Sequence, residues 1–234
     1  IEQTETTRHL VRGVAHEIKN PLGGIRGAAQ LLASELPDAS LQEYTQVIIE
    51  EADRLRNLVD RMLGSHQVPN KMPVNIHQIS ERVYSLLNVE SGDRIGLVRD
   101  YDPSIPDMEA DEAQLIQAVL NIARNALQAL LENDIVQPTI TLRTRTVRQF
   151  TIRQHRYRLV VRLDVLDNGP GIPPEMLEKI FYPMISGRPS GTGLGLSIAQ
   201  QIINYHAGVI ECDSVPGSTR FSVYLPLEGL NEQS

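Results

Sequence analysis

The sequence has few of the features that stabilise small secreted or membrane-bound proteins. Among its 234 residues there is one cysteine, Cys212, and no tryptophan, and aromatic residues make up 4% of the chain. A single cysteine excludes an intrachain disulfide, so the composition fits a reducing compartment and we expect a cytoplasmic protein. No apolar run approaches the ~20 residues of a membrane span. Residues 1–7 are polar and acidic, unlike the basic and then apolar start of a signal peptide.

The remaining composition is that of an ordinary globular protein. Hydrophobic residues make up 41% and charged residues 22% of the chain, proportions that argue against disorder. The formal net charge of -7 disfavours non-specific binding to nucleic acid. At ~150 residues per domain, the length corresponds to roughly one and a half average domains.

The first part of the chain has the apolar spacing of two long helices. In both, apolar positions recur every three and four residues, as in a coiled-coil seam. The two sets are Val11, Val14, Ile18, Pro21, Ile25, Ala28 and Leu32, and then Leu41, Tyr44, Ile48, Ala52, Leu55, Val59 and Met62. The segment Leu36–Ser40 interrupts the spacing, and Ser40 is the expected N-cap of the second helix. Because one helical hairpin buries each stripe only partly, we expect a homodimer whose two hairpins close a four-helix bundle.

The second part, after an expected linker over Gly64–Pro73, mixes helix and strand patterns. The patterns predict helices over 75–88, 111–131 and 194–205, and strands over 139–147, 157–166, 209–213 and 219–225. Residues 157–166 alternate in polarity, which predicts a strand with one buried face, in a hairpin with the strand before it. These elements favour a layer of helices on a mostly antiparallel sheet. The expected fold class is α + α/β, with a helical-hairpin dimerisation domain at 1–68 and an α/β sandwich at 69–234.

A motif at residues 16–21, His-Glu-Ile-Lys-Asn-Pro, lies in the middle of the first predicted helix. His16 and Asn20 are four residues apart and share a face, with Glu17 beside them. Pro21 has no amide hydrogen, so we expect the helix to bend there. Asn20 stands where the second histidine of a zinc-protease motif would be, which excludes that reading. The segment is either a reactive site or a solvated histidine on a bundle surface.

A polar stripe marks the predicted helix over 111–131. Asn121, Arg124, Asn125 and Gln128 occupy one of its faces. The amide oxygen of Asn125 is a suitable hard ligand for Mg²⁺, which takes its other ligands from water and phosphates. The same stripe also fits the polar outer face of an ordinary amphipathic helix.

Two glycine-rich segments follow. In the first, at 167–172, the carboxylate of Asp167 could accept a hydrogen bond from an exocyclic amine such as that of adenine, although an ordinary turn fits the segment too. The second, at 191–196, precedes a helix and would offer backbone N–H groups to a phosphate. Between them, residues 173–190 form either a mobile lid, with Arg188 facing a phosphate, or a surface loop.

In this order the four motifs resemble those of the sensor histidine kinases of two-component systems. The motifs are His-Glu-x-x-Asn-Pro at 16–21, Asn-x-x-x-Asn-Ala at 121–126, Asp-x-Gly-x-Gly-Ile at 167–172 and Gly-Thr-Gly-Leu-Gly-Leu at 191–196. The resemblance extends from about Arg8 to Pro226. The segment 181–188, Phe-Tyr-Pro-Met-Ile-Ser-Gly-Arg, is similar to the short lid of the nitrogen-regulation kinases within this family.

The resemblance implies a catalytic role for three residues of the first helix. ATP would phosphorylate an imidazole nitrogen of His16, and Glu17 would orient or deprotonate that ring. Asn20 would position water for dephosphorylation of the partner regulator. The implied partners are a second copy of the chain, an NtrC-like response regulator whose aspartate takes the phosphoryl group, and a PII-type signalling protein.

The resemblance also implies ATP and Mg²⁺ as cofactors, bound by a sandwich domain of the histidine kinase and Hsp90-like type. Asn125 would bind the metal, and Asp167 would hold the adenine amino group. The further nucleotide-binding residues would be Asn121, Arg124, Gly169, Gly171, Arg188, Gly191, Thr192, Gly193, Leu194 and Gly195. Gln128 stands where many relatives have Lys or His, so this position supplies no charge to the phosphates.

Two other classes of function stay open at this stage. One is an ATP-driven conformational clamp, and the other is an inactive scaffold that binds nucleotide without phosphorylating a histidine. A separate feature is a run of seven arginines without an acidic residue, which we interpret as a solvated sheet face or a contact with a partner protein. They are Arg143, Arg145, Arg148, Arg153, Arg156, Arg158 and Arg162.

Overall fold

Two long helices form the first of the two compact units into which the chain divides, Ile1–His66 and Gln67–Ser234. The computed structural model describes residues 2–36, 38–63, 70–185 and 193–227, with backbone alone at 2–17, 39–40 and 56–63. Within these ranges, no helix has the length and apolar character that crossing a membrane requires.

The predicted helical hairpin of the first unit is confirmed. Helix α1 spans Glu2–Glu35 and helix α2 spans Ala39–Leu63. The expectation that Ser40 is the N-cap of α2 is wrong, because the helix already includes Ala39. The carbonyl of Asp38 accepts the N–H groups of residues 41 and 42 at 3.1 and 3.2 Å. Asp is as favourable as Ser at such a helix start, so the earlier start gains a backbone bond at no cost in capping.

The two helices pack through small side chains and one ion pair. Leu22, Ala29 and Ala52 are buried, and Arg26 Nε lies 2.7 Å from Asp53 Oδ1 across the hairpin. Much of the predicted seam stays uncovered, because a two-helix hairpin has no second layer. The seam residues that remain between 41% and 51% exposed are Ile18, Ile25, Leu32, Leu41, Ile48 and Leu55.

The second unit contains a five-stranded and a two-stranded sheet. The strands are β1 (Met72–Val74), β2 (Gly96–Asp100), β3 (Met108–Ala110), β4 (Thr139–Ile152), β5 (His155–Asp167), β6 (Val209–Val215) and β7 (Ser218–Pro226). The large sheet has the order β2-β4-β5-β7-β6, with β2 parallel to β4 and the other pairs antiparallel. In the small sheet β1 pairs with β3. The predicted hairpin is therefore confirmed as β4–β5, whereas Pro73, predicted as linker, lies in β1.

Helices cover one face of the large sheet, as the sequence predicts. They are α3 (Ile76–Ser91), α4 (Glu112–Leu131) and α6 (Gly195–Tyr205), and a short helix, α5 (Pro174–Leu177), precedes α6 in the chain. Helix α4 packs between α3 and α6 and contacts β4 and β5. The side chains of Asn75 and Asp111 cap α3 and α4. The sheet residues on the covered face that are at most 1% exposed are Ile140, Leu142, Thr144, Val161, Leu163, Val165, Phe221 and Val223.

The prediction that only one face of β5 is buried is wrong. Val160 and Asp164, on the opposite face, are fully buried as well. The strand lies at the centre of the sheet, so side chains of the neighbouring strands cover it. Val160 joins an apolar cluster with Ile152, Tyr157 and Tyr224, and the carboxylate of Asp164 accepts the Ser222 hydroxyl at 2.7 Å.

Part of the arginine run is held in ion pairs on this second face. Asp100 binds Arg143 and Arg145, each at 2.7 Å, and Arg162 Nε lies 3.2 Å from the buried Asp164. These arginines are only about one third exposed or less on their side chains. The expected solvated face is thus a network of half-buried ion pairs at these three positions.

A buried histidine joins the ends of two helices. His206, at the C-terminal end of α6, accepts the N–H of Asp111 on Nε2 at 3.0 Å and donates from Nδ1 to the Ile202 carbonyl at 2.9 Å. This pairing requires a neutral ring. Burial lowers the pKa of His206 below its ordinary value of 6.5, Lys71 adds to that effect, and Asp111 opposes it.

The lowered pKa of His206 predicts a pH-dependent stability. Below about pH 6.5 the unfolded chain binds a proton at this position that the folded chain resists, so stability falls as the pH falls. We expect the Tm of wild type to drop between pH 7.5 and 5.5 more steeply than the Tm of His206→Gln, which keeps an acceptor for Asp111. His155→Gln, at the exposed start of β5, is the matched control. Equal slopes for wild type and His206→Gln would contradict the assignment.

Candidate nucleotide-binding site

Helix α4 carries the polar stripe that the sequence singled out. Asn121 and Asn125 are half-buried, while Arg124 and Gln128 are exposed. The amide nitrogen of Asn121 is buried and has no hydrogen-bond partner within the described parts of the chain. An unpaired buried donor is costly and needs an explanation such as a missing ligand. This amide therefore offers a donor to an acceptor at the surface of α4.

The loop after β5 lies against the C-terminal end of α4. Asp167 is 7% exposed, and its Oδ1 accepts the N–H of Gly169 at 2.9 Å. A Cβ at Gly169 would lie 2.7 Å from that oxygen and within 3.7 Å of the side chains of Ala129 and Leu130. A side chain at this position would crowd the carboxylate, whereas its contacts with the helix would be ordinary van der Waals contacts. The loop thus holds Asp167 beside α4.

A second glycine of this loop, Gly171, lets the loop pack against the backbone of the β6–β7 turn. Gly171 has φ +85°, and a Cβ there would lie 2.9 Å from backbone atoms of Val215 and Pro216. The N–H of Gly217 donates to the Gly169 carbonyl at 2.8 Å. The loop is therefore joined to the β6–β7 turn by its backbone and cannot accept a larger side chain there.

The start of α6 is the third part of the site. A Cβ at Gly195, its first residue, would lie 3.9 Å from the Cβ of Asn121 on α4. Leu194 occupies the N-cap position and makes no side-chain capping bond. The first N–H groups of a helix have no intrahelical partner, so this end presents free donors and the positive end of the helix dipole. A phosphate is the ligand that such an end binds best.

The backbone before α6 is held by residues from the start of the predicted lid. Gly193 has φ +65°, and a Cβ there would lie 2.6 Å from the carbonyl carbon of Met184. The N–H of Met184 donates to the Gly193 carbonyl at 3.1 Å. Three other predicted site residues, Arg188, Gly191 and Thr192, lie outside the described residues.

The structure thus brings three predicted segments of the second unit together along α4. Asn121 meets the start of α6, and Ala129 meets the loop that carries Asp167. Arg124 does not project freely into this arrangement, because its guanidinium binds Glu90 of α3, with Nε 3.0 and 3.1 Å from the two carboxylate oxygens. Sequence reasoning missed Glu90, which has no motif and is distant from Arg124 in the chain.

Sequence reasoning also missed a hydroxyl pair beside the site. Ser214 Oγ accepts the N–H of Ile172 at 2.8 Å and lies 2.8 Å from Thr219 Oγ1. Thr219 is 4% exposed and pairs with Asp167 in the register of β5 and β7. The spacing of these residues is set by strand pairing, which the sequence does not reveal. Nearby, burial raises the pKa of the Cys212 thiol to about 12, so that thiol stays protonated and unreactive.

The three predicted catalytic residues lie in the other unit. His16 and Glu17 are in α1, where the backbone alone is described, and Asn20 is exposed on the same helix just before Pro21. Pro21 is accommodated inside the helix. The catalytic roles that the sequence predicts for these three residues stay predictions.

Comparison with known families identifies both parts of the chain. The profile of the histidine kinase-, DNA gyrase B- and HSP90-like ATPases matches residues 110–229, and that of the His Kinase A (phospho-acceptor) domain matches residues 6–67. The chain therefore belongs to the family of histidine kinase-, DNA gyrase B- and HSP90-like ATPases. Its second unit carries an ATP-binding domain, and the predicted α + α/β fold is confirmed.

Curated relatives make the similarity more specific. The chain is 58% identical over 225 residues to the sensory histidine kinase/phosphatase NtrB of Salmonella typhimurium, covering 96% of this chain and 64% of that protein. It is 40% identical to NtrB of Rhodobacter capsulatus, covering 92% of this chain and 60% of the relative. The chain thus spans about two thirds or less of the length of these relatives.

Solved structures share the fold. Full-length ShkA in complex with AMPPNP matches with a TM-score of 0.68 at 25% identity, covering 93% of this chain and 45% of ShkA. The histidine kinase ThkA in complex with the response regulator protein TrrA matches with a TM-score of 0.62 at 26% identity, covering 97% of this chain and 64% of the other.

The position of Asp167 predicts the effect of removing its charge. In Asp167→Asn the oxygen that accepts the Gly169 N–H remains, so the loop should keep its shape. The side chain loses its charge and one of its two acceptor oxygens, which an amide NH2 replaces, and we expect ATP affinity to fall by roughly tenfold or more, the order of one charge-assisted hydrogen bond. Calorimetric titration with ATP measures it, with Asp93→Asn, an exposed carboxylate beyond α3, as control. Unchanged affinity would remove Asp167 from the adenine site.

Proposed function

We propose that this chain is the core of a sensor histidine kinase of the NtrB type, acting in nitrogen signalling. The observation that carries the proposal is the order of two matched regions in one chain. A phospho-acceptor region that contains His16 precedes an ATPase region whose α4, α6 and β5 loop surround one face. We assign residues 1–68 to dimerisation and phosphotransfer and residues 69–234 to ATP binding and catalysis.

The proposed reaction has two transfer steps. A nitrogen of the His16 imidazole attacks the γ-phosphorus of ATP, the bond from that phosphorus to the bridging oxygen breaks, and ADP leaves. The proton of the attacking ring passes to Glu17 or to water. An aspartate oxygen of the response regulator then attacks the phosphohistidine and releases the imidazole. Such transfers depend on in-line positioning and charge neutralisation more than on covalent chemistry by the protein.

The residues around α4 supply that positioning. Asp167 accepts a hydrogen bond from the adenine amine at the C-terminal end of α4. The phosphates extend toward Asn121, whose buried amide nitrogen lacks a described partner. The N–H groups at Gly193, Leu194 and Gly195 then face the phosphate oxygens, and the sequence places Arg188, Gly191 and Thr192 in the same group.

Mg²⁺ fits this site as a ligand shared with the nucleotide. Asn125 offers a hard amide oxygen on the same turn of α4 as Asn121. Among the described residues no group of three or more His, Cys, Asp or Glu side chains could hold a metal ion by itself. A cation with one protein ligand takes the rest from phosphates and water, as Mg²⁺ commonly does. When bound, the ion neutralises charge on the phosphate oxygens.

The first unit supports the proposed homodimer. The six half-exposed seam residues of α1 and α2 form an apolar stripe that a second hairpin would cover. Asn20, exposed on α1, would position water against the phosphorylated regulator for the reverse activity. We propose an NtrC-like regulator and a PII-type protein as partners from the similarity to NtrB, and a cytoplasmic location for the activity.

The proposal predicts a labelled histidine. On incubation with γ-labelled ATP and Mg²⁺, we expect the protein to acquire a label that is lost in acid, stable in alkali and absent in His16→Gln. Asn20→Ala should still acquire the label but dephosphorylate the regulator more slowly. His9→Gln, in the same helix, is the matched control.

Two outcomes would contradict the proposal. An unlabelled protein that still binds or hydrolyses ATP would favour a clamp or a scaffold. Equal loss of labelling and regulator dephosphorylation in Asn20→Ala would contradict the separate role of that side chain.

A further inference from the structure

The ion pair between α3 and α4 lies beside the proposed phosphate site. Arg124 Nε contacts both carboxylate oxygens of Glu90, and Arg124 Nη2 contacts Oε1. The side chains are 47% and 32% exposed, so water competes for both. The Glu90 carboxylate raises the pKa of Arg124. Arg124 is therefore positively charged whether or not nucleotide is bound.

The location of Glu90 is unfavourable for α3 itself. It lies in the last turn of that helix, where the dipole disfavours negative charge, and no basic residue of α3 occupies that turn. A lysine or arginine would stabilise this helix end better. The carboxylate is explained by its contact with Arg124 rather than by the stability of α3.

Arg124 lies at the border of the polar face of α4. At about 100° per residue it is offset by about 60° from Asn121 and lies within the same helical turn. Asn121 meets the start of α6, whose first N–H groups have no partner within the helix. The Asp167 loop meets α4 farther along, at Ala129. Arg124 therefore lies toward the phosphate end of the proposed site, within a turn of an unpaired amide donor.

We propose that Glu90 is a positioning residue, which holds Arg124 while ATP is absent and releases it to the terminal phosphate when ATP binds. The inference rests on the proposed ATP site. A guanidinium binds a phosphate group in the same two-point manner as a carboxylate, so the two anions compete for one side chain. ADP lacks the terminal group and leaves Arg124 on Glu90. The pair thus favours release of ATP relative to ADP.

The test is a comparison of ATP and ADP affinities, with Mg²⁺, by calorimetric titration of wild type, Glu90→Gln, Arg124→Gln and the double variant. Wild type must break this exposed ion pair when ATP binds, and that cost lowers its ATP affinity by about two- to fivefold. We therefore expect Glu90→Gln to bind ATP about two- to fivefold more tightly with ADP affinity unchanged. Arg124→Gln should weaken ATP binding, and adding Glu90→Gln to it should have no further effect.

The matched control is Glu81→Gln. Glu81 also lies on α3 and binds an arginine, Arg99, at 2.7 and 3.1 Å with similar exposure, on the side of β2. It should leave both nucleotide affinities unchanged. The rise in Tm on adding ATP should be larger in Glu90→Gln than in wild type, which a purely structural pair would not produce.

The results separate the two proposals. If wild type binds ATP but Glu90→Gln leaves the ratio of ATP to ADP affinity unchanged, the competition is wrong and the pair only joins two helices. Independent, additive effects of Glu90→Gln and Arg124→Gln on ATP affinity would overturn it too. If wild type binds neither nucleotide, the ATP site itself is contradicted.

Discussion

The structure of the second unit depends on how closely two backbone segments approach helix α4. The loop after β5 contacts the end of α4 at Gly169, where a Cβ would lie 2.7 Å from the Asp167 carboxylate, and α6 begins at Gly195 within van der Waals distance of Asn121. These two contacts place a carboxylate at one end of a helix face and free N–H groups at the other. In the proposed function, the carboxylate accepts the adenine amine of ATP and the N–H groups donate to its phosphates.

Sequence patterns were sufficient for the elements with strong periodicity. The two seams predicted α1 and α2, and alternation predicted the β4–β5 hairpin. These patterns failed to predict the burial of side chains that are enclosed by residues distant in the chain. Asp164 looks like a solvent-facing position in an alternating strand, yet Ser222, its partner on β7, and Arg162, two residues earlier on β5, both contact its carboxylate. The short strands β1, β2 and β3 have too few residues to show a period, and pairing with other strands defines them.

The candidate site likewise has residues that the sequence predicts and residues that only the fold reveals. Glycines that adopt a positive φ or lie close to other atoms of the chain can be recognised in a sequence by their spacing. Gly169, Gly171 and Gly193 were predicted in this way. Glu90 could not be predicted from the sequence, because its contact with Arg124 exists only where α3 packs against α4. The resemblance assigned Arg124 to the phosphates, and the structure adds a carboxylate, that of Glu90, to which this arginine is hydrogen-bonded. Ion-pair partners that are distant in the chain can be identified only when the fold is known.

Amide hydrogen exchange with and without ATP and Mg²⁺ tests the central claim most directly. The N–H groups of residues 195–197 have no intrahelical partner, so they should exchange rapidly without nucleotide and slowly when phosphates bind the start of α6. The first turn of α3, already capped by Asn75, should show no change and serves as the internal reference. Unchanged exchange at 195–197 in a protein saturated with ATP would contradict the site described for α4 and α6.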